Sequence, residues 1–171
     1  MSLKISPMHA HCDHSPAKHV EPQSISQALA LAEARCKAHG ERWTSSRRRV
    51  LELLLQAGAP AKAYDLMAAF DEGGAPAKPP TIYRALEFLE QQGLVHRITG
   101  INAFIACGAD RAVHTAAFLI CDCCGSAEEF DPRADSVAAI AADHGFEVEG
   151  VTLEVRGRCR WCAADHGHKA A

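Results

Sequence analysis

Apolar residues recur at helical spacing through the first half of the chain and then switch to the spacing of strands. Ile25, Leu29, Ala32 and Cys36 follow at steps of four and three, and Gly40 ends that run. Thr44 is a good N-cap for a second helix, which turns Val50, Leu51, Leu54 and Leu55 inward and carries Arg47, Arg48 and Arg49 in its first turns. Gly58 and Pro60 end it. A shorter helix covers residues 63–70, with Leu66, Met67 and Phe70 as its buried side, and Gly73, Gly74 and Pro76 break the pattern. Lys78-Pro79-Pro80-Thr81 opens a fourth helix, where proline is tolerated because the first-turn N–H has no helical partner. Ile82, Leu86 and Leu89 form its apolar face, Tyr83, Arg84, Glu87 and Gln91 point elsewhere, and Gly93 closes it.

Two short strands follow, residues 94–97 and 103–105, joined at Gly100 and Asn102. Three helices and a hairpin, behind one extra N-terminal helix, is the element order of a winged helix-turn-helix. In such a domain the last helix enters the major groove with its first residues at the base edges. Tyr83 and Arg84 occupy that turn, and an arginine can bond guanine O6 and N7 together. Further on, residues 118–120 and 128–130 read as strands and 135–143 as a short Ala-rich helix. Val151, Leu153 and Val155 alternate with polar neighbours as a strand leading to Cys159. The expected fold class is α+β.

Length and composition narrow this picture. The chain has 171 residues, room for one ordinary domain or two small ones, and 48% hydrophobic residues, enough for a core. No apolar run approaches the ~18 residues of a membrane span, and the N-terminus has Lys4 but no apolar signal region. A cytoplasmic protein with reduced or metal-bound thiols is expected. The net charge of −3 does not by itself announce a nucleic-acid binder. The halves differ, however: residues 1–105 carry 12 Lys+Arg against 10 Asp+Glu, and residues 106–171 carry 6 against 11.

The acidic half holds the candidate chemistry. Cys121/Cys124 and Cys159/Cys162 are two Cys-x-x-Cys pairs, the spacing with which tight turns place four thiolates on one tetrahedral zinc. Disulfides or buried thiols are the plain alternative, though nothing points to secretion. A thiol oxidoreductase would want a low-pKa cysteine at a helix N-terminus, whereas Cys121 follows an apolar strand. A zinc hydrolase would want His-Glu-x-x-His or an open three-ligand motif, which the chain lacks. Cys123 makes Cys121-x-Cys123 a rival ligand pair. Residues 1–22, with His9, His11, Cys12, His14 and His19 among Ser and Pro, read as a disordered arm, either a loose chelator or a tolerated tail. His166 and His168 pose the same choice, and Cys36 reads as a core thiol.

Several motifs together resemble the ferric uptake regulator family, and within it the zinc uptake branch. They are Ala63-Tyr64-Asp65-Leu66, Lys78-Pro79-Pro80-Thr81-Ile82-Tyr83-Arg84-Ala85-Leu86, Gly93-Leu94-Val95-His96, and His114-Thr115 leading into Ile120-Cys121-Asp122-x-Cys124-Gly125. The resemblance spans roughly residues 24–162. The His-His-Asp-His cluster of the iron-responsive branch is absent, and Val113-His114-Thr115 stands in its place. The resemblance implies a homodimer binding a near-palindromic operator. Each subunit would pair an N-terminal winged-helix domain with a small C-terminal α/β dimerisation domain. The corresponding partition is arm 1–22, DNA-binding domain 23–106, zinc-binding dimerisation domain 107–165 and disordered tail 166–171. The resemblance further implies two zinc ions per subunit, a structural one on Cys121, Cys124, Cys159 and Cys162 and a regulatory one on His96, Cys107, His114 and Glu129. It implies DNA contacts from Tyr64, Thr81, Tyr83 and Arg84, a repressor of zinc uptake genes, and no enzymatic activity. The rival on the same fold is a repressor responding to iron or peroxide.

Overall fold

A computed structural model describes residues 22–70, 78–107, 116–130, 132, 135–148 and 151–167. Four helices come first: α1 (Pro22–Ala38), α2 (Ser45–Ala57), α3 (Ala63–Ala69) and α4 (Pro79–Gln91). The Thr44 side chain accepts from the Arg47 N–H at 3.3 Å and satisfies one of the orphan donors at the start of α2. At its other end Gly58 takes the left-handed conformation (φ 56°) and its N–H bonds Leu54 O. Pro79 and Pro80 stand in the first turn of α4. The apolar faces meet in one core, where Leu29, Val50, Leu53, Leu54, Leu66, Ile82, Leu86 and Leu89 are all but inaccessible to solvent. Cys36 lies in that core as a thiol, and burial raises its pKa.

Strands β1 (Val95–Ile98) and β2 (Ala103–Ala106) form the antiparallel wing, with Val95 opposite Ala106 and Ile98 opposite Ala103. The connection is a 3-10 turn, Thr99–Ile101, closed by Asn102 at positive φ (49°). A bridge between Ala61 and Phe104 fastens the wing to the helices, and Leu94 N–H bonds Leu89 O at the end of α4. The wing therefore moves with α4.

The second sheet has the order β4–β3–β5, from β3 (Ala116–Cys121), β4 (Ala127–Phe130) and β5 (Thr152–Gly157). β3 pairs antiparallel with β4 and parallel with β5. Helix α5 (Asp135–Asp143) lies between β4 and β5 in sequence, and α6 (Arg160–Gly167) follows β5. Phe118 and Ile120 turn to one face of the sheet and pack with Ile98, Ile101 and Ile105 of the wing and with Ala127. This second core is much smaller than the helical one. The wing is thus shared, tied to the helices through Phe104 and Val95 and to the sheet through Ile98.

Two features differ from the sequence expectation. α6 has no apolar stripe to announce it, and it runs through His166 and Gly167, the first two residues of the expected tail. The alternation of Leu153 and Val155 is present, but these side chains are exposed, as is Leu119, the register partner of Val155. The period gives the shared face correctly, and in a single chain that face is uncovered.

Candidate metal centres and nucleic-acid interface

Cys121 ends β3, and Cys123 and Cys124 lie in the turn that follows, closed by Gly125 at positive φ (72°) with its N–H on Cys121 O. Cys159 immediately precedes α6 and Cys162 is in its first turn. The second pair therefore stands at a helix N-terminus, which the sequence did not suggest. The Sγ atoms of Cys121, Cys124, Cys159 and Cys162 all lie within 4.8 Å of one another, and Cys124 and Cys159 are 3.9 Å apart. Four sulfurs about 2.3 Å from a central zinc would be separated by about 3.8 Å, so the donor set fits a tetrahedral ion. Their cysteines are thiols, not disulfides. Cys123 packs beside the cluster without belonging to the four-donor group.

The electrostatics of these sulfurs are uneven. Burial opposes charge on Cys121, but the backbone N–H groups of Cys124, Cys159 and Cys123 aim at its sulfur and outweigh that penalty. Its pKa is lowered to about 6. Cys162 goes the other way: burial, and then hydrogen bonding with Cys159 and the other sulfurs, push its thiol up. The first proton leaves readily and the last is held hard. A cation that replaces the protons removes that conflict.

A second group forms where the wing meets the sheet. His96 lies on β1, Cys107 one residue past β2 with its N–H on Leu94 O at 2.9 Å, and Glu129 on β4. One donor atom from each lies within 4.8 Å of the others. His96 Nε2 and Glu129 Oε1 are 3.8 Å apart, too long for a hydrogen bond and suited to two donors on one ion. The His96 ring rests against Phe118, at 5.7 Å between centroids. Glu129 is partly buried and joins the group, while its neighbour Glu128 is exposed. His114 falls outside the described residues, as does the arm with His9, His11, Cys12, His14 and His19.

The expected DNA-contacting side chains lie on the helical half. Tyr64 on α3 is 75% exposed and Tyr83 on α4 is 53% exposed, high values for aromatic rings that a core would otherwise take. Arg84 is exposed, and with Thr81 and Ala85 it lines a cavity of about 210 Å³ completed by Thr44, Ser46 and Arg47 at the start of α2. The Arg47 guanidinium lies over the Phe88 ring at 3.3 Å and also donates to the Arg42 carbonyl. Two helix N-termini, three hydroxyls and two guanidinium groups thus share one small cavity. Sequence reasoning missed the contributions of Thr44, Ser46 and Arg47, because nothing local brings α2 and α4 together. No helix among the described residues is long and apolar enough to cross a membrane.

The chain is similar to known proteins over most of its length. The ferric uptake regulator family model matches residues 38–156. The zinc uptake regulation protein of Escherichia coli (strain K12) is 39% identical over 147 residues, covering 84% of this chain and 85% of that protein. Among solved structures, a zinc uptake regulator complexed with zinc and DNA superposes with a TM-score of 0.78 at 35% identity, covering 84% of this chain and 98% of the other. Holo XcZur gives 0.72 at 43% identity, covering 82% and 99%. These matches span both the helical half and the small sheet. The chain belongs to the ferric uptake regulator family, whose members are transcription regulators and not enzymes.

Proposed function

We propose that this protein is a zinc-dependent repressor that binds the operators of zinc uptake genes as a cytoplasmic homodimer. The observation that carries this reading is the convergence of His96, Cys107 and Glu129, which brings donors from the wing and from the sheet to one point. In this reading residues 23–106 are the DNA-binding domain and 107–165 the zinc-binding dimerisation domain. Cys121, Cys124, Cys159 and Cys162 hold a structural zinc. His96, Cys107 and Glu129, with His114, hold the regulatory one, and a mixed N, S and O set suits that borderline-soft ion.

A bound cation supplies at the second group a positive centre that favours the arrangement in which its donors meet. The rest is done by the chain. Ile98, Ile101 and Ile105 pack on Phe118, Ile120 and Ala127, so the wing and the sheet already have apolar surface in common. Because the wing is fastened to α4, fixing the wing fixes the recognition helix. Zinc controls DNA binding only as far as it binds this arrangement more tightly than others. The uncovered face of Leu119, Leu153 and Val155 offers an apolar surface to the second subunit. At the DNA, Thr44, Ser46 and Arg47 beside the N-termini of α2 and α4 suit a backbone phosphate, while Tyr64, Thr81, Tyr83 and Arg84 approach the bases.

The test is metal analysis of purified protein, with and without chelator, followed by DNA binding at controlled free zinc. Two zinc ions per subunit are expected, one of them removable by chelator together with operator binding. Operator binding that ignores the chelator would sink this reading, and binding that returns with iron and not with zinc would replace it with the iron responder. Arg84→Ala should weaken operator binding by about 1–3 kcal/mol and relax the preference at one base pair. Zinc content and dimerisation should stay as in wild type. Equal operator binding of both proteins at matched salt would remove α4 from the major groove.

A further inference from the structure

The wing is held to the sheet at a second point, far along the hairpin from the His96 group. Glu154 lies on β5, and its carboxylate reaches the wing tip. Oε1 accepts from the Thr99 N–H at 2.6 Å and Oε2 from the Gly100 N–H at 2.8 Å. These are consecutive amides at the start of the 3-10 turn, donors that no earlier turn can satisfy. A carboxylate there meets both the hydrogen-bonding need and the positive end of the turn.

The register explains why this residue reaches the wing. Glu154 is the partner of Phe118 in the parallel pairing of β3 and β5, so it shares the face on which Phe118 meets the wing. Its neighbours Leu153 and Val155 take the opposite, exposed face. Gly100 matches Glu154 from the other side. A Cβ at that position would lie 2.6 Å from Glu154 Oε2, so an alanine there makes the carboxylate swing away from the two amides. Two residues 54 apart in sequence, one on the wing and one on the sheet, are thus fitted to each other.

We infer that Glu154 is a positioning residue for DNA binding, a metal-independent latch that fixes the rotation of the wing and α4 on the sheet. The inference rests on the zinc-switch reading above and deepens it. His96 and Cys107 hold the hairpin near its base, and the packing of Ile98, Ile101 and Ile105 on the sheet is non-directional, so it fixes the wing's rotation only weakly. Glu154 holds the tip, and two separated attachments remove the rotation. The latch pre-organises the arrangement that the regulatory zinc selects, so less of the zinc-binding energy goes into ordering the wing.

The test compares the full-length dimer with Glu154→Gln and Gly100→Ala, and with Glu128→Gln as a control for loss of one exposed carboxylate from the same sheet. Operator binding is titrated against free zinc, and amide hydrogen exchange is followed at Thr99 and Gly100 in zinc-depleted buffer. Both latch variants should need roughly tenfold more free zinc for half-maximal operator binding, a shift of ordinary allosteric size. Both should still bind two zinc ions, and exchange at the two amides should quicken. Glu128→Gln should match wild type. A zinc midpoint within about twofold of wild type in both variants, or unchanged exchange at Thr99 and Gly100, overturns the latch. If wild-type binding itself ignores zinc, the zinc-switch reading fails, and the exchange rates still decide whether Glu154 holds the tip.

Discussion

Cys159→Ser is expected to give insoluble or monomeric protein, because the apolar core described for the C-terminal half is small. The apolar core of the helical half is large, from Leu29 and Val50 through Leu66 to Leu89. Among the described residues, the sheet sets Phe118 and Ile120 against the wing, and beyond them the sulfur cluster joins the end of β3 to the start of α6. Metal binding to a four-cysteine site is worth about 10–16 kcal/mol near neutral pH. A whole domain is stable by only about 5–15 kcal/mol. Losing one thiolate from such a site therefore costs enough to unfold the half that contains it. Cys121→Ser should act alike. Cys123→Ser should be nearly silent, since Cys123 lies beside the cluster and outside the group of four. Zinc content by a chelating dye, far-UV circular dichroism and sedimentation measure the outcome. Loss of zinc in Cys123→Ser with retention in Cys121→Ser would overturn the ligand assignment.

Cys107→Ser separates sensing from folding. Cys107 lies outside both Cys-x-x-Cys pairs, one residue beyond the wing, so the sulfur cluster keeps all four of its ligands. The fold and the dimer should remain. The second group loses its charged soft donor and keeps a neutral hydroxyl, which binds zinc poorly. The expected protein holds one zinc per subunit, dimerises normally, binds its operator weakly whatever the free zinc, and leaves its target genes constitutively expressed. His96→Ala should behave in the same way, and so should His114→Ala. Zinc stoichiometry measured beside zinc-titrated DNA binding checks this. A Cys107→Ser protein with two zinc ions and normal repression would reduce Cys107 to a bystander thiol, and the His9, His11, Cys12 and His14 arm would be examined next.

Much of the helical half was legible in the sequence, because a helix writes its period, cap and stop locally. Thr44, Gly58 and the Pro79-Pro80 pair each mark a boundary within a residue or so of the observed one. The four cysteines were legible for a related reason: two short spacings each define half of a site. The His96, Cys107 and Glu129 group was not, since no local pattern says that a wing residue meets a strand of another sheet. Only the family resemblance named it. α6 escaped because Trp161 is exposed and Cys162 is the buried anchor of its first turn, so no stripe forms. On β5 the alternation sorted residues into two faces but could not say which face a neighbour covers. Glu154 is one of the polar residues of that alternation, and nothing local tells that it meets the wing.

The unequal cores also set an order of assembly. Helices α1–α4 close on one another through short connections, and contacts of that kind form fast. The parallel pairing of β3 with β5 must wait for β4 and α5 to be made, and the sulfur cluster waits longer still for Cys159 and Cys162. On the ribosome the helical half can therefore be complete before any of the four clustered cysteines, all of them later in the chain, has emerged. If the cluster binds zinc as proposed, metal loading becomes a late step, and a chain starved of zinc is expected to hold a formed α4 beside an unfinished sheet. Pulse-labelled hydrogen exchange during refolding, with zinc added last, should show protection in α2 and α4 well before any appears in β5.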